Sequence, residues 1–249
     1  MPISALFFRR TSEPQTIEVA VDGMVFPVRL RRHRQARRYT LRVQSASRDV
    51  VLTMPLRGSV REARNFAQKH GDWIALRVAR LPAAAPFGDG AIVPLRGEPH
   101  RIAHRSGARG TVWIEAGEGE KLLCVAGGLA HVARRVRDHL RREAKRALEA
   151  ASHQAARQLG VSVKRVSVRD QSSRWGSCST SGRLSYSWRL IMAPPFVLEY
   201  LAAHEVAHLK EMNHSPRFWR LVHQIFPEAA RAKAWLDAHG GDLHRYGTA

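Results

Sequence analysis

The stretch that most restricts the fold is Ala203-His204-Glu205-Val206-Ala207-His208-Leu209-Lys210-Glu211-Met212-Asn213-His214. His204 and His208 can address one ion only if the segment between them is helical, because positions i and i+4 share a helix face. The third histidine then requires the chain to leave the helix and turn back. Glu205 lies one residue round from His204, where it can reach a water on that ion. Two histidines, a third ligand and a carboxylate base are what metal-activated hydrolysis needs. His214 is the first candidate for the third ligand. Glu228 is its rival, at the start of another helix, and His223 and Glu211 stay open behind it. Chains with this spacing commonly carry glycine three residues after the second histidine. Here that position is Glu211, so Met212-Asn213 must absorb the turn. Asn213 suits the end of the motif helix, and Ser215-Pro216 opens the next one as cap and first helical residue. A pattern this short also arises by chance on exposed helices. The apolar neighbours Val206, Ala207 and Leu209 argue for an enclosed setting, where charged groups need a metal or a partner.

The segments around the motif alternate with period two or with helical period. Residues 25–30, 39–43 and 49–55 read as strands of an antiparallel sheet with one wet face, with Arg31 to Arg38 as a basic turn. Ser59 and Glu62 form a capping box ahead of a helix. Four short apolar pieces follow between 91 and 125. A long helix from about 130 to 159 carries Val132, Val136, Leu140, Ala144 and Leu148 as its buried stripe, and Gly160 stops it. Residues 161–168 read as a strand and 170–178 as a polar loop. Leu184, Tyr186, Trp188 and Leu190 alternate with polar residues, which predicts a strand with one buried face. Pro227 separates the helix after Ser215 from a terminal helix over 228–239, which Gly240-Gly241 ends. These readings divide the chain into a weakly structured start (1–20), a β-rich region with one helix (21–129) and a core that carries the motif (130–249). No internal repeat is evident.

The charge balance is +20, from 41 Lys and Arg against 21 Asp and Glu. It favours an acidic partner, or reflects an arginine-rich proteome. Arg31, Arg32, Arg34, Arg37 and Arg38 are candidate phosphate contacts, although no aromatic interleaves with them for base stacking. Two cysteines far apart, Cys124 and Cys178, exclude a disulfide scaffold and fit a reducing compartment. With no apolar run of membrane length and no leader-like start, a cytoplasmic location without membrane contact is expected. The oligomeric state stays open.

The chemistry expected is hydrolysis of a peptide bond by a zinc-activated water. Glu205 is the general base, and a second electrophile is drawn from Arg174, His223 and Tyr200, with Arg174 first. The alternatives are a non-peptide amide hydrolase, and a nucleic-acid-associated protein or a protease with a zinc centre that acts on DNA-bound proteins.

Arg174-Trp175-Gly176-Ser177-Cys178, then Leu184, Trp188-Arg189-Leu190 and Ala193-Pro194, and then Tyr200 to Trp219 together resemble the YgjP-like metallopeptidase domain. That group is related to the SprT-like and WLM proteases. The resemblance implies an α+β fold whose zincin-like core packs a small antiparallel sheet on the motif helix, preceded by a β-rich region. It implies one Zn2+ per chain on His204, His208 and His214, with Glu205 as the catalytic carboxylate and a protein or peptide as substrate. It also implies an edge strand that receives extended substrate, with Tyr186, Trp188 and Ser177 as candidate contacts. Trp175, Gly176 and Cys178 have a structural reading as core filler, turn and small buried hydrophobe.

Overall fold

The structure is a computed structural model that describes residues 15–44, 48–117, 119–171 and 174–248. Of the expected weakly structured start, residues 1–14 lie outside the described part, and Thr16 onward is strand. The chain forms two compact units that divide between Leu81 and Pro82, not near residue 130.

In the first unit, β1 (Thr16–Val21) buries Ile17, Val19 and Val21 at alternate positions. It turns through Asp22 and Gly23, both at positive φ, into β2 (Met24–His33). Two consecutive left-handed residues are the geometry of a tight hairpin. β3 (Thr40–Val43) and β4 (Val50–Pro55) complete a sheet of order β1-β2-β4-β3. Its centre is a parallel pairing of β2 with β4, Val28 against Val50, so the sheet is mixed and not antiparallel. The expected basic turn begins inside β2. Two helices pack on this sheet where one was expected. α1 (Val60–Lys69) has the capping box of Ser59 and Glu62, and α2 (Gly71–Ala79) starts after a break at His70. Glycine at 71 lets the start of α2 approach β1, where a Cβ would sit 2.6 Å from Val21 Cγ2. Ile17, Val28, Leu52, Met54, Ala63, Ala67 and Ile74 form this unit's own core.

The second unit opens with β5 (Ile92–Leu95), β6 (Glu98–Arg105), β7 (Val112–Ala116) and β8 (Lys121–Ala126). Their order is β5-β6-β8-β7, again with a parallel centre, His100 against Lys121. The β5–β6 turn, Arg96-Gly97, also has both residues at positive φ. α3 (Val132–Leu159) buries the expected stripe and ends at Gly160 in the left-handed region, φ 64°. Ser152 interrupts the stripe and is fully buried, its Oγ 3.0 Å from the Tyr186 hydroxyl.

β9 (Arg165–Arg169), β10 (Gly176–Cys178) and β11 (Arg183–Ser187) form a small sheet of order β10-β11-β9. β10 pairs antiparallel with β11, and β9 pairs parallel to it, so this sheet is mixed too. The strand from Leu184 is shorter than its alternation implied. It stops at Ser187, and Trp188–Met192 coil into a 3-10 turn with every residue buried. That turn holds the sheet β5–β8 to the site. Arg96 and Gly97 donate their backbone N–H groups to Ile191 O and Met192 O, and a Cβ on Gly97 would meet Pro194 at 3.0 Å.

α4 (Pro195–Ala207) is buried on nearly every side, as a central core helix must be. α5 (Pro216–Ile225) follows its Ser215 cap. α6 (Ala229–Leu243) runs through Gly240-Gly241 and does not end there. Gly240 serves closeness: a Cβ on it would lie 3.1 Å from Trp175 Cζ2. Val93, Ile102, Leu123, Leu140, Leu184, Trp188, Val197, Val206 and Phe218 share one core. The sheet β5–β8 therefore belongs with the motif helix. Among the described residues no helix is long and apolar enough to cross a membrane.

Candidate active site

α4 carries His204 and Glu205 in its last turn and ends at Ala207, with His208 as its C-terminal cap. The chain therefore leaves the helix earlier than the expected end at Asn213. It does so as a tightening turn. Leu209 N donates to Val206 O, and Lys210 N and Glu211 N both donate to Ala207 O. Among the described residues the positive-φ positions outside glycine are Asp22, Arg48 and Arg96. The reversal from His208 to His214 thus uses no left-handed residue, which explains why Glu211 can stand where glycine is usual. Asn213 Oδ1 accepts from Ser215 N, and Ser215 Oγ accepts from Phe218 N. The two bonds fix His214 just ahead of α5.

One ligand nitrogen from each of His204, His208 and His214 lies within 4.8 Å of the others. His204 Nε2 and His214 Nε2 are 3.1 Å apart. Tetrahedral zinc with Zn–N bonds of about 2.0–2.1 Å separates its ligand atoms by roughly 3.3 Å. His208 Nδ1 is 3.0 Å from Glu211 O. Donation to that carbonyl sets the tautomer and leaves Nε2 for a metal. His204 Nδ1 is buried without a hydrogen-bond partner. Burial, with His208 and His214 beside it, holds the His204 pKa down to about 4, so the ring is kept neutral as a ligand must be. Phe218, fully buried, backs the cluster with its ring centroid 4.5 to 4.9 Å from the three imidazoles. The donor set of three nitrogens fits a zinc ion and leaves a fourth position for water.

Glu205 is 5% exposed. Burial raises its pKa to about 7, against the opposing pull of the Arg174 charge. A carboxylate with that affinity can both take and return a proton near neutrality. Gly176 on β10 covers it: a Cβ there would lie 2.3 Å from Glu205 Oε1 and 2.7 Å from its Cγ. Burial, with Glu205 beside it, also pushes the Cys178 thiol up to about 11. That thiol is inert, in keeping with a structural role.

The other expected residues divide. Tyr186 and Trp188 are fully buried, and Tyr186 is bonded to Ser152. Neither can touch a substrate, and both are core. Ser177 is part-exposed on the edge strand β10. Arg174 is exposed, and its Nε donates to Gln171 Oε1. Tyr200 is buried with its ring edge-on to His204 at 5.8 Å. His223 bonds to Trp219 O and does not join the cluster. Glu228 is ion-paired to Arg231 at 3.0 Å, and Glu211 lies 3.9 Å from Arg217. Neither joins the ligand set. In the first unit Arg31 and Arg32 are strand residues, and Arg34, Arg37 and Arg38 are exposed. Arg32 Nη1 donates to the carbonyls of Pro55, Leu56 and Gly58, so its guanidinium serves the fold.

Two contributors escaped the sequence reading. One is Gly176, read as a turn glycine but placed where its missing side chain makes room for Glu205. The other is Arg189, which is buried. It donates to Asp170 Oδ1 and to the carbonyls of Leu243 and Tyr246, tying the end of α6 to the base of the site. A lone arginine in an apolar run is the signal that could have found it, since a buried charge needs several partners.

A comparison with curated proteins finds no match. Among solved structures, the metallopeptidase zymogen of Pyrococcus abyssi abylysin is 29% identical, with a TM-score of 0.34, over 40% of this chain and 97% of that one. Residues 37–239 match the profile described as YgjP-like, metallopeptidase domain. That span takes in the whole site and most of both units, and the chain belongs to the YgjP-like metallopeptidase family.

Proposed function

We propose that this metallopeptidase is zinc-dependent and hydrolyses peptide bonds with Glu205 as general base. The observation that carries the reading is three imidazole nitrogens within 4.8 Å of one another, next in chain to a buried carboxylate whose pKa is raised to about 7. His204, His208 and His214 would hold the ion. Bound zinc supplies Lewis acidity, which lowers the pKa of water and polarises a carbonyl. Glu205 accepts the proton of the attacking water on its carboxylate and returns it to the leaving amine. Gly176 excludes bulk above that carboxylate, and the charge of Arg174 restrains its basicity. We assign Arg174, the exposed cation whose charge acts on Glu205, to meet negative charge developing at the reacting carbonyl.

The test is metal analysis beside cleavage of an unfolded protein. Glu205→Gln should keep stoichiometric zinc and lose activity by about a hundredfold or more. His214→Ala should lose the zinc. Wild-type turnover by the Gln variant, or full zinc in the Ala variant, would refute the assignment.

A further inference from the structure

The outer face of the sheet β9–β11 carries chemistry that the zinc site does not use. Strand pairing sets Arg165 beside Arg183, and Ser167, Ser185 and Ser177 in one row across the three strands. Arg169 and Arg174 lie at the other end, and the whole forms a groove of about 780 Å³. Like charges on directly neighbouring strand positions destabilise a sheet. Among the described residues Arg165, Arg169 and Arg183 make no ion pair. The one acid in the lining, Asp170, is taken by Arg189 at 2.9 Å. A face built this way can take an anion from outside. It offers no aromatic platform for bases, because Trp175 is stacked on His244 with centroids 5.0 Å apart.

The groove also borders the zinc site. β10 is an edge strand. Gly176 lies against Glu205 and Cys178 packs on the core, while Ser177 between them lines the groove. A peptide that adds to β10 as a strand sends alternate side chains to the two faces. One set points toward the metal helix and the other toward the arginines. We infer that this groove selects acidic protein segments, with carboxylates on the outward-facing residues of a bound segment received by Arg183 on β11 and, beyond it, by Arg165 and Arg169 on β9. The inference rests on the peptidase reading for the location of cleavage. The groove's preference for acid is a property of the sheet itself.

Two measurements separate the two claims. In the first, wild type and Arg165→Gln/Arg183→Gln digest two peptide pools that carry glutamate or glutamine at every second position and are random elsewhere. Wild type should prefer the glutamate pool in kcat/KM by about fivefold or more. The ratio should fall toward one in the double variant, and its folding is checked by zinc content. A wild-type ratio of one, or a preference untouched by the double substitution, overturns the inference. In the second, the Glu205→Gln protein is titrated with a fluorescein-labelled alternating Glu-Ala peptide, its Gln-Ala counterpart, and single-stranded oligo-dT of equal charge. Tighter binding of the Glu-Ala peptide, weakened by salt and by the arginine substitutions, supports the groove even if no peptide is ever cleaved. Failure would then lie in the peptidase reading alone. Preferential binding of oligo-dT through the same arginines overturns the inference in favour of nucleic acid.

Discussion

At the scale of the residue, the site depends as much on an absent side chain as on the ligands. Gly176 has ordinary backbone angles, so alanine there is not strained by its own conformation. Its Cβ would instead overlap the carboxylate and Cγ of Glu205, and the core around α4 gives that side chain little room to retreat. Gly176→Ala should therefore keep its zinc, lower kcat about tenfold or more, and destabilise as an overpacked core does, by about 1–3 kcal/mol. Zinc content, kcat and thermal unfolding of one preparation check this, and unchanged kcat would show that the carboxylate needs no such clearance. His204, Glu205 and His208 were legible because an i, i+4 pair with an adjacent acid has few other uses. Gly176 was not, because glycine signals a turn and a close approach with the same letter.

At the scale of the element, α3 meets β11 through one polar contact inside an apolar seam. Ser152 and the Tyr186 hydroxyl satisfy each other where neither meets water. Ser152→Ala strands the phenol and should destabilise by about 1–3 kcal/mol, and adding Tyr186→Phe should recover a good part of the loss. Chemical denaturation of the two single variants and the double variant gives the coupling, and simple additivity would disprove it. Hydrophobic alternation located β3 and β11, since it reports which face is buried, and it passed over β1 in the stretch read as weakly structured. It says nothing about which strand lies alongside, so the sheet of the first unit was read as antiparallel, and the small sheet that the resemblance implied as antiparallel is likewise mixed. Nor could it find β10, three residues of Gly-Ser-Cys with no apolar contrast. The family resemblance offered Tyr186 and Trp188 as substrate contacts, while the alternation itself had marked theirs as the buried face, and the packing sides with the alternation. The capped start of α5 was plain from Ser215-Pro216. The way His214 comes round to it rests on carbonyl partners that no side chain announces.

At the scale of the whole molecule, the two units carry separate cores, and every candidate ligand and the base lie in the second. A fragment of residues 82–249 should fold cooperatively and bind one equivalent of zinc, which thermal unfolding with and without metal would show. A fragment without a melting transition would mean that the first unit is needed for the second to form. Both units open on the same arrangement of four strands, in the orders β1-β2-β4-β3 and β5-β6-β8-β7, each with a two-residue turn at positive φ in its first hairpin. This likeness is invisible as a repeat of letters. It bears on synthesis. In each sheet the inner edge of the first hairpin pairs with a strand that follows about twenty residues later, as Val28 does with Val50 and His100 with Lys121. That edge stays open while the intervening chain leaves the ribosome. The histidines at 204, 208 and 214 follow the strands of all three sheets in chain order. A peptidase laid out in this order cannot complete its ligand set until the strands that frame it have been made.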